Sequence, residues 1–210
     1  MTSKRSCWDK STYFLQIYGH RKRNYQTVVM SNKNIEKKIG IFGGSFDPPH
    51  RGHIQIAKLS LKKLKLKYLI WAITKRNPLK EKPMLSLKSR ILLSKKLVGK
   101  NKRIKIQNLD ERLKTSKTIE LIKFSKKNLK NSKLYFIMGS DNIINLHKWH
   151  GWKKFQKYCT IVVFPRKGYL KKMLISKAYR LIKKDKLIFL KSRIANISSS
   201  KIRKNYLIYK

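Results

Sequence analysis

Acidic side chains are scarce in this chain: 9 Asp+Glu stand against 54 Lys+Arg, a formal net charge of +45 over 210 residues. Cysteine is nearly missing as well. Cys7 and Cys159 are too few for a disulfide framework and match no metal-ligand spacing, which points to a reducing compartment. No uncharged apolar run approaches the roughly 18–20 residues of a membrane span. The opening MTSKRSCWDK lacks the apolar stretch of a secretory signal. These absences argue against membrane, secreted and disulfide-stapled classes, and the expectation is a soluble cytoplasmic chain. Wholesale disorder is excluded from the other side, because 41% hydrophobic and 10% aromatic residues supply material for one core.

The positive charge has two readings. Such an excess concentrates polyanions around a protein. Of the 54 basic residues, however, 42 are Lys and 12 are Arg, and the Lys residues are spread rather than clustered. Lys, Ile and Asn share A/T-rich codons, so nucleotide bias produces this composition without selection for nucleic acid. Arg, the better reader of phosphates and bases, is the minority. No specific nucleic-acid partner and no membrane partner are therefore expected.

Along the chain, residues 1–36 are polar and aromatic, with a basic knot at Arg21-Lys22-Arg23 and no sustained periodicity. They read as a loosely ordered N-terminal extension. Translation beginning at Met30 would explain the change of texture; finding residues 1–29 in the native protein by mass spectrometry would reject it. Residues 37–210 read as one domain. Strands are expected at Ile39–Phe42, Tyr68–Ile73, Ile104–Gln107, Leu134–Met138, Thr160–Phe164 and Leu187–Leu190. Helical spacing runs through His50–Leu66, Ser86–Val98 (with Ile91, Leu92 and Leu97 on its apolar side), Ser116–Leu129, Asp141–Tyr158 interrupted near Gly151, Tyr169–Lys183 and Ser199–Tyr206. This alternation predicts an α/β fold: a Rossmann-like, doubly wound, mostly parallel sheet with helices on both faces. Ligands of such sheets sit at the carboxyl ends of the strands, near a topological switch point.

The informative residues follow strands. After the first comes Gly40-Ile-Phe-Gly-Gly-Ser-Phe-Asp-Pro-Pro-His-Arg-Gly-His53. Gly43 and Gly44 let backbone approach a phosphate and adopt positive φ. His50 and His53, three apart on a helix's first turn, face the same space, and the helix N-terminus favours an anion. Together they describe a phosphate-handling site. A zinc pair would need a third ligand from His147, His150 or Cys159, and no metal site is expected. Neither the dinucleotide fingerprint nor a P-loop is present.

This segment closely resembles the signature of the nucleotidyltransferase superfamily with the His-x-Gly-His motif, and more narrowly that of the bacterial nicotinate-nucleotide adenylyltransferase family. Ile197-Ser-Ser-Ser-Lys-Ile-Arg203 resembles its second signature, Ile-Ser-Ser-Thr-x-Ile-Arg. There serines cap a helix, and Ser199, Ser200 and Arg203 converge on phosphate oxygens. Met138-Gly139-Ser140-Asp141-Asn142 resembles the family's Gly-Ala-Asp-Asn element, which implies that Gly139 and Asp141 line the nucleotide site, with the carboxylate facing ribose hydroxyls. Leu146–Trp152 resembles its Leu-x-x-Trp-x-x-Trp stretch, in which Trp149 matches the platform for a nicotinate ring; Trp152 is expected in the core. Thr74–Lys80 resembles its Asn-Pro-Leu-Lys loop beside the mononucleotide, implicating Thr74, Asn77 and Lys80. One departure is plain: Ser116-Lys117-Thr118-Ile119-Glu120-Leu121 stands where the family often has Ser-Tyr-Thr-x-Asp-Thr.

The resemblance implies adenylyl transfer from ATP to nicotinate mononucleotide, giving nicotinate adenine dinucleotide and pyrophosphate. His50 and His53 would be the catalytic contacts, and the turn Gly43-Gly44-Ser45-Phe46 would cradle the triphosphate. Mg²⁺ would accompany ATP, held mainly by phosphate oxygens and water, which suits a chain short of carboxylates. Asp47 is expected to pin the loop. The alternatives are the same chemistry on nicotinamide mononucleotide or another phosphate monoester and, from a different class, a nucleic-acid-binding protein.

Overall fold

The computed structural model describes residues 36–77, 79, 81–191 and 197–208. The chain divides into two units, Met1–Asn34 and Ile35–Lys210. The expected loose extension lies, apart from Glu36, outside the described residues.

Six strands form the sheet: β1 (Lys37–Gly44), β2 (Tyr68–Ile73), β3 (Ile104–Gln107), β4 (Ser132–Gly139), β5 (Thr160–Phe164) and β6 (Leu187–Phe189). Their order is β3-β2-β1-β4-β5-β6, and every pairing is parallel. The direction of winding reverses between β1 and β4, where Ile41 pairs with Phe136 and Phe42 with Ile137. That is the switch point at which an open parallel sheet leaves a crevice beyond its carboxyl edge.

The helices are α1 (Arg51–Lys63), α2 (Leu87–Val98), α3 (Leu109–Leu113), α4 (Thr118–Asn128), α5 (Ser140–Ile144), α6 (Phe155–Tyr158), α7 (Leu170–Leu174), α8 (Lys177–Leu181) and α9 (Ser199–Ile208). Alternate residues of each central strand enter opposite layers, as the period of two demands. Ile39, Ile41, Leu134, Phe136 and Met138 pack with Ile119, Ile122, Phe155 and Met173 of the helices from α4 onward. Phe42, Trp71, Tyr135 and Ile137 pack with Ile54, Ala57 and Leu61 of α1 and Val98 of α2. Both faces are covered, as the near-continuous apolar strands require. Among the described residues no helix is long and apolar enough to cross a membrane.

The differences from the sequence reading have local causes. Helix α1 stops at Lys63 rather than Leu66, because Lys65 takes a left-handed φ of 51° and Leu66 N–H turns back to Leu61 O at 3.1 Å. The expected helix over Tyr169–Lys183 is two, broken where Ser176 caps α8 by accepting from Tyr179 N–H. The segment after β4 is interrupted near Gly151 as expected, but more widely: α5 ends at Ile144, two 3-10 turns follow, separated by extended Trp149 and left-handed Gly151, and α-helix resumes only at Phe155. Helix α3 has no counterpart in the sequence reading. Leu92 is 54% exposed, because α2 buries Arg90, Ser94 and Val98 instead.

Candidate active site

Two adjoining cavities open at the carboxyl edge of the sheet. The larger, about 470 Å³, is walled by the turn after β1, by Gly139 and Asp141 after β4, by Arg166 after β5, and by Ser198, Ser199, Ser200 and Arg203 at the start of α9. The smaller, about 140 Å³, is lined by Thr74, Arg76 and Asn77 after β2, by Asp110, by Ser116-Lys117-Thr118, and by Phe136 and Trp149. Gly43, Gly44, Ser45, Leu79 and Asn142 belong to both walls.

The turn between them is held without the glycine conformation expected. Gly43 and Gly44 stay in the strand, and the left-handed residue is Phe46, at φ 49°. Its ring, 4% exposed, sits 5.1 Å from Phe42, 5.0 Å from His53 and 4.7 Å from Trp71. Aromatic contacts of this kind contribute about 0.5–1.5 kcal/mol each, enough to hold a conformation that L residues disfavour. Asp47 pins the loop as expected. Its carboxylate accepts Met84 N–H at 2.8 Å and Leu85 N–H at 2.9 Å.

His50 and His53 occupy the N-cap and third position of α1, with rings stacked 3.7 Å apart. His53 Nδ1 accepts the His50 backbone N–H at 3.2 Å, which leaves Nε2 as the donor nitrogen of the neutral ring. His53 lines the larger cavity. His50 does not; it is buried, and among the described residues neither of its ring nitrogens has a hydrogen-bond partner. Burial, and secondarily the positive charge of Arg166, lower its pKa from the ordinary 6.5 to about 4. It is a neutral imidazole near neutral pH. Among the described residues no group of three His, Cys, Asp or Glu is arranged to hold a metal.

The far wall is tied to the β1 turn. Arg203 Nη1 donates to Asp47 O at 2.6 Å and lies 3.7 Å from its carboxylate, while Ser199 Oγ donates to Pro48 O at 3.0 Å. Of the serines expected to cap the helix, Ser198 does so, accepting Lys201 N–H at 3.1 Å. Ser200 Oγ accepts from Arg203 at 3.3 Å.

Gly139 and Asp141 fall in the larger cavity, not beside Trp149. A Cβ on Gly139 would collide with Asp141 Oδ1, so a larger residue there would push that carboxylate aside. Asp141 Oδ2 pairs with Arg166 at 3.0 Å, and Arg166 N–H donates to Ser140 Oγ at 2.9 Å. Arg166 escaped the sequence reading. The signal that would have found it is its place just beyond a strand's carboxyl end, after Pro165, the position that singled out the other loops.

In the smaller cavity Thr74 Oγ1 donates to Asp110 at 2.6 Å, and Lys75 N–H to the same oxygen at 2.7 Å. Asp110 was also missed, since it sits on α3, which has no periodic signature. Asn77 Oδ1 accepts Leu79 N–H at 2.9 Å, shaping the loop. Lys80 lies outside the described residues. Trp149 is half-buried, its ring edge-on to Phe136 and Phe155 at 6.4 Å each, while Trp152 is in the core as expected. His150 lines this cavity; His147 bonds to Ile144 O and does not line either cavity.

Residues 41–205 match the cytidylyltransferase-like family. A protein of Pelagibacter ubique described as "probable nicotinate-nucleotide adenylyltransferase" is 48% identical over 175 residues, covering 83% of this chain and 97% of that one. A protein of Nitratiruptor with the same description is 40% identical over 146 residues, covering 69% and 80%. The fold is that of the Plasmodium falciparum nicotinic acid mononucleotide adenylyltransferase, solved in complex with NaAD: TM-score 0.67 at 22% identity, over 80% of this chain and 83% of that one.

Proposed function

The chain belongs to the cytidylyltransferase-like family, and from that membership and its cleft we propose that it transfers the adenylyl group of ATP to nicotinate mononucleotide. The carrying observation is the pair of cavities sharing the Gly43-Gly44-Ser45 wall. One carries His53, Arg166 and Arg203 with the serines of α9; the other has Trp149 as an aromatic platform. The relatives at 48% and 40% identity bear the matching description.

In the reaction, an oxygen of the mononucleotide 5′-phosphate attacks the α-phosphorus of ATP. A bond forms between them while the bond from that phosphorus to the β-bridging oxygen breaks, and its electron pair leaves with pyrophosphate. The nucleophile is already anionic near neutral pH, so no proton-abstracting side chain is needed. Catalysis rests on positioning and on stabilising charge. His53 donates from Nε2 to the transferred phosphate. His50, neutral and desolvated, supplies a second donor once a phosphate reaches it. Arg203, Ser199 and Ser200 face the leaving pyrophosphate, and Arg166 steadies Asp141 beside the nucleotide. Thr74 and Asn77 border the mononucleotide, whose ring stacks on Trp149.

Mg²⁺ entering with ATP would neutralise triphosphate charge. The residues fit an ion carried mainly by phosphate and water, because beside this cavity only Asp141 Oδ1 is a buried carboxylate oxygen without a partner among the described residues. A cytoplasmic enzyme is the reading we adopt, on the reducing compartment that two cysteines suggest.

Pyrophosphate release by purified protein with ATP and Mg²⁺ tests this, comparing nicotinate with nicotinamide mononucleotide at physiological salt. Strong preference for the acid is expected. Activity on the amide alone would move the substrate assignment, and no activity with either would refute the reaction.

A further inference from the structure

Helix α2 turns a cation inward. Arg90 is 1% exposed, and a guanidinium out of water needs acceptors for its N–H groups and opposing charge. The acceptors are four main-chain carbonyls. Nη1 donates to Ser45 O at 2.7 Å and Thr74 O at 2.8 Å, Nη2 to Lys75 O at 3.0 Å, and Nε to Leu85 O at 3.2 Å. Burial lowers its pKa, and the carboxylates of Asp47 and Asp110 oppose that shift.

Those two carboxylates grip the N–H side of the same loops. The Thr74–Lys75 peptide has its oxygen on Arg90 and its N–H on Asp110. Leu85 has its oxygen on Arg90 and its N–H on Asp47. In a trans peptide, C=O and N–H point opposite ways, so Ser45 O held by Arg90 turns the Phe46 N–H away from it. Ser45 borders both cavities and Thr74 the smaller, whereas Arg90 borders neither.

We propose that Arg90 is a positioning residue: from beneath the cleft it fixes the loop after β1 against the loop after β2 and so sets the spacing between the two substrates. A lysine cannot replace it, because one ammonium does not span four carbonyls arranged around a planar fork. The identity of the substrates rests on the adenylyl-transfer reading; the positioning role does not.

The test compares Arg90→Ala and Arg90→Lys with wild type, with folding checked by circular dichroism and thermal melting. Kinetics with ATP and nicotinate mononucleotide are run with and without sub-denaturing guanidinium chloride. In folded Arg90→Ala, kcat falls by about 100-fold, the scale of a slight misplacement of reacting groups, and both KM values rise. Guanidinium restores activity saturably, which NaCl at equal ionic strength does not, and Arg90→Lys stays closer to Ala than to wild type. Wild-type turnover in either variant, a loss that guanidinium leaves unchanged, or failure of both variants to fold would each overturn the proposal. An inactive wild type would refute the adenylyl-transfer reading instead. Arg90 is then judged by ATP affinity: rescue by guanidinium in Arg90→Ala supports the role, and affinity indifferent to the substitution overturns it.

Discussion

In the larger cavity several polar side chains are already engaged with one another or with the backbone: Arg203 with Asp47, Arg166 with Asp141, Ser199 with Pro48. In the smaller one Ala72, Ile73, Phe136 and Trp149 stand beside a polar rim that includes Arg76, Ser116 and Thr118, and Asp110 holds Thr74 in place. The first arrangement suits phosphates, which are bound by donors oriented before the ligand arrives. The second suits a flat ring, bound by shape and stacking and oriented by a few polar contacts. On the proposed assignment one cleft uses two recognition strategies, and substitutions on either side should have separable signatures.

The separation is broken most severely through the turn. His53→Ala removes a donor at the transferred phosphate and should lower kcat by about 100- to 1,000-fold, with circular dichroism unchanged; near-normal turnover would remove His53 from the mechanism. Arg166→Gln should come next. It leaves Asp141 without its 3.0 Å partner, and because charged hydrogen bonds contribute about 1.5–3 kcal/mol, KM for ATP should rise by about tenfold or more. KM for the mononucleotide should hardly move, and equal rises in both would deny the division.

Trp149→Ala sharpens the contrast from the other side. Stacking of a base on an aromatic ring is worth about 1–3 kcal/mol, so KM for nicotinate mononucleotide should rise by at least about fivefold while that for ATP stays put. Thr74→Val should have a smaller effect, about two- to tenfold on the same KM, because it removes a single hydrogen bond to Asp110.

The subtlest expectation concerns His50. Its folded pKa lies near 4 against an ordinary 6.5, so on acidification the unfolded chain binds a proton that the folded chain refuses. Its contribution to stability is undiminished above pH 6.5 and is progressively lost as pH falls from there toward 4. An NMR titration should show the His50 ring unmoved between pH 8 and 5, and Arg166→Gln should shift its midpoint upward. A midpoint at 6.5 in the wild type would contradict the burial.

How much of this was legible depends on how local each feature is. The β1 turn and the start of α9 carry their chemistry in consecutive residues, so His50, His53, Ser199 and Arg203 could be named from spacing and resemblance. Strands β2, β3 and β5 were bounded correctly: β2 and β5 are short, β-branched or aromatic apolar runs, and β3 alternates as Ile-Lys-Ile-Gln. Arg90 and Asp110 were not legible, because most of their partners lie 15 to 45 positions away, and Arg166 meets Asp141 across 25 positions, although its place after a strand was a signal. Composition even misdirected: α2 offers Leu92 as a core residue and buries Arg90 instead, a choice intelligible only once the loops it grips are in place. The positive φ expected of Gly43 or Gly44 falls on Phe46, because packing of its ring overrides backbone preference.

Two substrates in two unlike halves of one cleft is the claim on which the mechanism stands, and a crystal structure with nicotinate adenine dinucleotide tests it most directly. The pyridine ring should stack on Trp149 beside Thr74, and the bridging phosphates should lie within hydrogen-bond reach of His53 and the Gly43-Gly44-Ser45 turn. A pyridine ring seated in the larger cavity, or a dinucleotide that leaves Trp149 untouched, would contradict it.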